Sequence, residues 1–407
     1  MHDREPDATT WRSAIWELAG YDRPSASEGE RRAAESIAAR LRGLGLQTTV
    51  EEERAHGGYW WPLALANVLG AGGALAARRG DLRARLLGAL VAGLGAVAIW
   101  DEVSGGTLWF RRAVMPHRST WNVVAQASDP LAQRTVVVIA HHDAAHSGLI
   151  FHPALPRIAP RVTPRLHERS SHTVPILYAV WLGPALVCAA ALWGARRLLG
   201  FGTSLALGAA AALVNIGVSA VVPGANDNLS AVGALLAVAE ELARRPLEGL
   251  RVVLVSTGSE ESLMEGMRGF ARRHFPELDP AHTEMVCLEC LGGPTLVVLE
   301  GEGMLRMRDY PAQMRQALAD AAAAAGVRVT RGLRTVASTD ALIALRAGYR
   351  VGTLASVDYT KFPSHYHWPT DTPEVLRWQT IEDAIAVCSQ FLRASAAADT
   401  LSTGGQA

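Results

Sequence analysis

Five short stretches of this 407-residue chain carry side chains that can do chemistry. His141-His142-Asp143 follows an apolar run. A histidine with a carboxylate two residues on can bind a metal ion while that carboxylate buttresses the ring. Gly224-Ala225-Asn226-Asp227-Asn228-Leu229-Ser230 opens a helical pattern and projects Asp227 from a loop. Glu260-Glu261 follows the apolar run Arg251–Ser256. Two adjacent carboxylates at the end of a buried strand are costly unless a cation offsets them, and one can bind that cation while its neighbour handles a proton. Glu289 ends a further apolar run before Gly292-Gly293, and His367 lies in the aromatic loop Tyr366-His367-Trp368-Pro369-Thr370-Asp371-Thr372. Taken singly, each stretch also reads as something plainer: a solvated loop, a helix N-cap at Asp227 or Asn228, or a structural ion pair at Glu289. His142, His146, His152 and His365 read as polar loop residues, with His365 the substitute ligand should His367 not serve. Cys287 and Cys290 have C-x-x-C spacing but no second pair to complete a zinc knuckle, so buried free thiols are expected there.

The elements that must position these residues follow from periodicity. Strand-like runs are Leu46–Glu51, Asn122–Gln126, Thr135–Ala140, Arg251–Ser256, Met285–Leu288, Thr295–Leu299 and Val351–Ala355. Helical patterns cover residues 11–45, with a break, and then Ser230–Arg244, Met264–His274, Met304–Ala325 and Ile381–Leu392. Ser27 and Glu30 form a candidate capping box, and Gly45 ends that helix. Strands alternating with helices imply an α/β fold with a mostly parallel mixed sheet flanked by helices. The candidate residues then sit at strand ends, where active sites of open α/β sheets gather.

Composition adds a second theme. The chain balances 39 Lys+Arg against 39 Asp+Glu, which gives no basic excess for nucleic acid. Only 19% of residues are charged. Residues 1–20 carry Asp3, Glu5 and Asp7 and lack the apolar core of a signal peptide, so any membrane insertion is expected from internal segments. Four such segments occur. Trp61–Ala77 and Leu86–Trp100, about 15–17 residues each, are at or just under the length that crosses a bilayer. Val174–Gly194 and Leu198–Val222, about 21 and 25 residues, are long enough. Arg78, Arg79, Arg83 and Arg85 fill the first turn, and Arg196 and Arg197 the second. Arg111, Arg112, Arg157, Arg161, Arg165 and Arg169 flank the other ends, so the positive-inside rule favours neither orientation.

The order H-x-D, G-A-N-D-N-x-S, E-E, strand-end Glu and Y-H-x-x-x-D-T resembles the zinc peptidases of family M28, over roughly residues 10–58 and 120–395. The stretch Asp22-Arg23-Pro24-Ser25 is also similar. The resemblance implies a zinc exopeptidase-like fold and two zinc ions, one on His141, Asp227 and Glu289 and the other on Asp227, Glu261 and His367. It implies Glu260 as general base and Asp143 as the carboxylate behind His141. Departures are Glu289 where many members have Asp, Leu263 where a Gly is usual, and a partial match at Ser338-Thr339-Asp340-Ala341. The expectation is a multi-pass cell-membrane exopeptidase, by default an aminopeptidase acting on peptides through water activated by two zincs. Its domain occupies residues 1–58, 101–173 and 223–395. Transmembrane hairpins lie at 59–100 and 174–222, and a disordered tail at 396–407. Alternatives are a catalytically silent membrane receptor on the same fold and a single-zinc glutaminyl cyclase-like enzyme.

Overall fold

The computed structural model describes residues 11–175 and 178–403. Its main sheet has seven strands: β1 (Gln47–Ala55), β2 (Arg118–Ser128), β3 (Arg134–His141), β4 (Leu250–Thr257), β5 (Thr283–Glu289), β6 (Thr295–Val298) and β7 (Arg350–Val357). Their order is β1-β2-β4-β3-β5-β7-β6. The central four strands run parallel, whereas β1-β2, β2-β4 and β7-β6 pair antiparallel. The expected mostly parallel sheet is therefore parallel only at its centre. The sequence of β1, QTTVEEERA, carries charges along a half-exposed strand, which suits an antiparallel edge. By contrast β3 is almost wholly buried and reads as a continuous Val/Ile run.

Side chains alternate along the strands, so one strand feeds two cores. Val136, Val138 and Ala140 face α1 (Trp11–Ala19) and α2 (Glu28–Gly43). Helix Ser230–Arg244 and the terminal helix join that layer. Val137 and Ile139 face helix Glu265–His274 and one end of a helical bundle. In α2 the Ser27 hydroxyl accepts from Glu30 N at 3.2 Å, but the Glu30 carboxylate reaches Ala26 N rather than Ser27 N, so the capping box is only half formed.

Two further expectations are corrected. The helix read over Met304–Ala325 starts only at Ala312, because Pro311 precedes it and residues 301–309 pair into a small three-stranded sheet with 334–335. The tail read as disordered from Ala396 continues the helix Trp378–Thr403, and Ala396 is buried in the core. Residues 404–407 lie outside the described ones.

The apolar segments form a four-helix bundle of α3 (Trp60–Ala77), α4 (Leu82–Val103), α5 (Tyr178–Trp193) and α6 (Arg196–Val218). By length and composition α3, α4 and α6 can cross a membrane. Helix α5 has 16 residues, shorter than the span read from sequence; part of the difference, residues 176–177, lies outside the described ones. The bundle turns the usual pattern inside out. Its interior is Ala and Gly packed closely: a Cβ on Gly73 would lie 2.5 Å from Gly88 O, and one on Gly183 2.6 Å from Ala206 N. Its exterior carries Leu65, Leu75, Leu87, Leu90, Leu94, Val97, Phe201 and Leu207, all more than 40% exposed. At the far end Arg85 Nε donates to Ala191 O at 2.9 Å, tying the two turns together.

Candidate metal centre

Each candidate side chain stands where a strand or helix ends. His141 is the last residue of β3. Glu260 and Glu261 follow β4, Glu289 ends β5, and His367 lies in the loop after β7. Asp227 stands in the turn between α6 and the helix from Ser230. Gly224 makes that turn possible. Its φ is +60°, and a Cβ there would lie 2.6 Å from Asp227 O and 2.7 Å from Arg23 Nη2. Backbone strain gathers here as well. Ser259, Cys290 and His367 all have positive φ, a conformation costly for non-glycine residues and common at functional sites.

The loops bring all five residues together. His141 Nε2 lies 3.3 Å from Asp227 Oδ1 and 3.6 Å from Glu289 Oε1. His367 Nε2 lies 3.2 Å from Asp227 Oδ2 and 3.0 Å from Glu261 Oε2. Asp227 thus turns one oxygen toward each histidine. Glu260 Oε2 is 3.8 Å from His141 Nε2, and Glu260 borders an adjoining cavity. That cavity is walled by Tyr59, Phe151, Met304, Phe362 and Tyr366.

Asp143 holds the arrangement from behind. It accepts hydrogen bonds from Glu260 N at 3.0 Å, Glu261 N at 3.1 Å and the Ser25 hydroxyl at 2.6 Å. Its Oδ1 lies 3.2 Å from His141 Nδ1, within ion-pair distance though short of hydrogen-bond geometry. The decoy histidines turn elsewhere: His142 Nδ1 meets Ser256 Oγ, His146 Nδ1 meets Ser219 O and His365 Nδ1 meets Thr370 Oγ1. His152 packs edge-on against Trp368.

Five carboxylates surround two histidines, and the titration of each group reflects that crowding. Burial, reinforced by Asp227, pushes Glu261 up to about 7, even though His367 opposes the rise. Burial likewise raises Glu289 and Glu260. Burial alone would lower His367, but Glu261 and Asp227 lift it to about 10. His141 is raised in the same way by Glu289, Asp143 and Asp227, against burial. Asp227 is lowered despite burial, by His141 and His367.

A metal ion fits these donors. Both ring nitrogens of His141 and of His367, together with Asp227 Oδ2 and Glu261 Oε1, are buried without a hydrogen-bond partner among the described residues. Such atoms are costly unless something else satisfies them. The Nε2 atoms of the two histidines nevertheless lie 3.0–3.6 Å from carboxylate oxygens of Asp227, Glu261 and Glu289. Two donors held at ~2.0–2.1 Å by one tetrahedral zinc lie ~3.3–3.4 Å apart, so the spacing suits shared ions and the N/O donor set suits zinc.

Several further residues position the centre. The buried Arg23 guanidinium donates to His142 O, Pro223 O and Gly224 O, joining the loops of His141 and Asp227. Asp371 accepts from Asn226 N at 2.7 Å and Asp227 N at 3.1 Å. Glu30 accepts from Ser259 N and Ser259 Oγ, fixing the residue before the Glu pair. Gly266 packs so closely under that loop that a Cβ would lie 2.0 Å from Gly258 O. Leu263, where a glycine was expected, has φ +64°. Asp340 is buried against the Thr257 hydroxyl, and Ser338 lines the cavity.

Residues 212–392 match the model of peptidase family M28. The fold is similar to that of a Zn-dependent exopeptidase from Parabacteroides distasonis, at 12% identity, 96% of this chain and 99% of that chain covered, and TM-score 0.54. It is similar to a zinc aminopeptidase from Bacillus subtilis, at 14% identity, 96% and 95% covered, and TM-score 0.54. It is also similar to a glutaminyl cyclase from Tannerella forsythia, at 13% identity, 96% and 99% covered, and TM-score 0.55. At these identities the likeness is one of fold. No curated protein matches the chain.

Proposed function

Since this chain carries a domain of peptidase family M28, we propose that it is a membrane-embedded zinc exopeptidase, an aminopeptidase holding two zinc ions. The observation that carries this reading is Asp227, whose two oxygens face His141 and His367 separately. His141, Asp227 and Glu289 would hold one ion, and Asp227, Glu261 and His367 the other. Zinc held there supplies Lewis-acid polarisation of the scissile carbonyl and acidifies water near neutral pH. Glu260 takes the proton from the attacking water and returns it to the leaving amine. Its position beside His141, at the cavity edge, suits that transfer. Asp143 keeps the Glu260-Glu261 backbone and the His141 ring in register for it.

The bundle completes the proposal. Leucines outside and glycines inside suit a lipid solvent, where helices associate through small residues. The two hairpins, at 59–100 and 174–222, interrupt one peptidase domain built from 1–58, 101–173 and 223–395. Both hairpins then return the chain to the same side.

Metal analysis of purified wild type and Asp227→Ala, with a screen of free and N-blocked aminoacyl substrates, tests the reading. Two zincs in the wild type, both lost in the variant, and cleavage only of free N-termini are expected. Full zinc in Asp227→Ala would refute the shared ligand. A single zinc with cyclisation of an N-terminal glutamine would instead favour the cyclase reading that the Tannerella forsythia neighbour raises.

A further inference from the structure

Between β3 and the second hairpin the chain runs through an arm, residues 149–169, that supplies none of the candidate metal ligands. Two short helices in it, Ile158–Val162 and Pro164–Arg169, bury none of their residues. Ile158, Val162 and Leu166 recur every fourth residue and are 51%, 72% and 68% exposed. Arg157, Arg161, Arg165 and Arg169 recur beside them at the same spacing, all exposed. Glu168 is the only acid in the arm. Exposed apolar side chains of this kind are unfavourable in water.

The arm is nevertheless tied down. At its start Leu149 N donates to Asn215 Oδ1 at 2.8 Å, and Gly148 packs on Ile216, both on the last turns of α6. Leu149 there and Val218 at the end of α6 are each 70% exposed. The start of the arm is therefore attached to the end of α6, next to the bundle. At the arm's end Lys361, the only lysine in the sequence, donates to the carbonyls of His167, Glu168 and Ser170. Lys361 belongs to the loop that carries His367. Between that loop and the arm lies a cavity of about 410 Å³, lined by Phe151, Leu155, Phe362 and Tyr366 among others.

We propose that this arm binds the surface of an anionic lipid bilayer, its exposed apolar side chains among the headgroups and its four arginines on lipid phosphates. Apolar residues flanked by arginine are the pattern of an interfacial segment, and basic residues beside a membrane attract anionic lipid. The proposal rests on the membrane reading of the bundle. It places the roof of the 410 Å³ cavity, and the loop clamped by Lys361, at the lipid surface.

Single cysteines at Val162, Leu94 and Leu131, introduced into a Cys188→Ala background, provide the test. The remaining cysteines are buried. Each variant is labelled with the environment-sensitive fluorophore NBD and reconstituted in nanodiscs of phosphatidylcholine, with or without phosphatidylglycerol and doxyl-labelled lipid. Leu94 lies on the bundle exterior, and Leu131, 88% exposed, precedes β3 at the end of the sheet away from His141. Leu94→Cys should be quenched by doxyl lipid, and Leu131→Cys should remain in water. Val162→Cys should be blue-shifted and quenched in the phosphatidylglycerol discs. It should lose that quenching when Arg157, Arg161, Arg165 and Arg169 are all replaced by Gln, in protein whose Leu94 probe is still quenched. A quenched Leu94 probe with an unquenched Val162 probe overturns the proposal and leaves the membrane reading standing. Quenching at Val162 that ignores both phosphatidylglycerol and the arginines also overturns it. An unquenched Leu94 probe removes the membrane reading and the proposal together.

Discussion

Replacing Asp143 by Asn changes one buried atom and touches both halves of the metal centre. The two Asp143 oxygens receive Glu260 N, Glu261 N and the Ser25 hydroxyl, and one lies 3.2 Å from His141 Nδ1. An amide of the same shape keeps one acceptor and turns an NH2 group toward a backbone N–H that still needs a partner. A buried donor left unpaired costs about 1–3 kcal/mol, and the opposed donors add to it, so metal-free protein should lose roughly 2–4 kcal/mol. The ring of His141 also loses the charge that orients it, and losing such a partner typically weakens metal affinity by about 10–100-fold. Chelator competition followed by metal analysis reads the affinity, and thermal unfolding of metal-free protein reads the stability. The variant should release its first zinc at a chelator concentration where the wild type keeps both. Wild-type affinity for two ions together with unchanged kcat/KM would show that Asp143 plays no part in holding the centre.

Glu260→Gln should keep both the metal content and the melting temperature while turnover falls about 10²–10⁴-fold, the usual contribution of a general base; near-normal turnover would remove Glu260 from that role. A pH effect arises outside the candidate ligand set, at Glu265. Burial would raise this acid, but Arg111, His56 and Ser262 hold it down at about 2, against an ordinary 4.5. A depressed acid adds stability above its unfolded value and loses it as pH falls toward the folded one. Metal-free protein should therefore lose about 3 kcal/mol between pH 4.5 and 2. Glu265→Gln should flatten that part of a melting-temperature profile, and an unchanged slope would reject the assignment.

The parts of this molecule that were legible in sequence are those dictated by local pattern. Continuous Val/Ile and Val/Leu runs located β3 and β4, and the carboxylates and histidine just past such runs fall at the candidate metal centre because a parallel sheet collects its strand ends on one side. The helix Ser230–Arg244 was legible because its apolar residues recur with helical spacing. What was not legible depends on contacts between distant residues. Arg23 joins loops 119 and 200 residues away, and Glu30 fixes Ser259 across 229 residues. In the sequence Glu30 is simply the last residue of a capping box, and nothing near it marks the second use. The edge strands misled for a related reason: strand direction is set by the partner, and β4 comes between β2 and β3 although the last two are consecutive.

The same reasoning bears on the hairpins, which by sequence alone could be anchors removable without harm to the domain. The structure argues against that. Leu63, Ile99, Val180, Leu213 and Ile216 come from all four bundle helices and belong to the same core as Val137 and Ile139 of β3. Without the hairpins the sheet side chains that these residues cover would face water, at about 1.5–3 kcal/mol for each large one. Tyr59, Trp60 and Ile216 also line a small space together with Glu261 and His367. Exchanging both hairpins for short soluble linkers should therefore abolish folding and metal binding, and with them hydrolysis of small and lipid-tethered substrates alike. A linker variant that still binds two zincs and cleaves a small aminoacyl substrate would show instead that the bundle is an anchor, and that the sheet buries its second face without it.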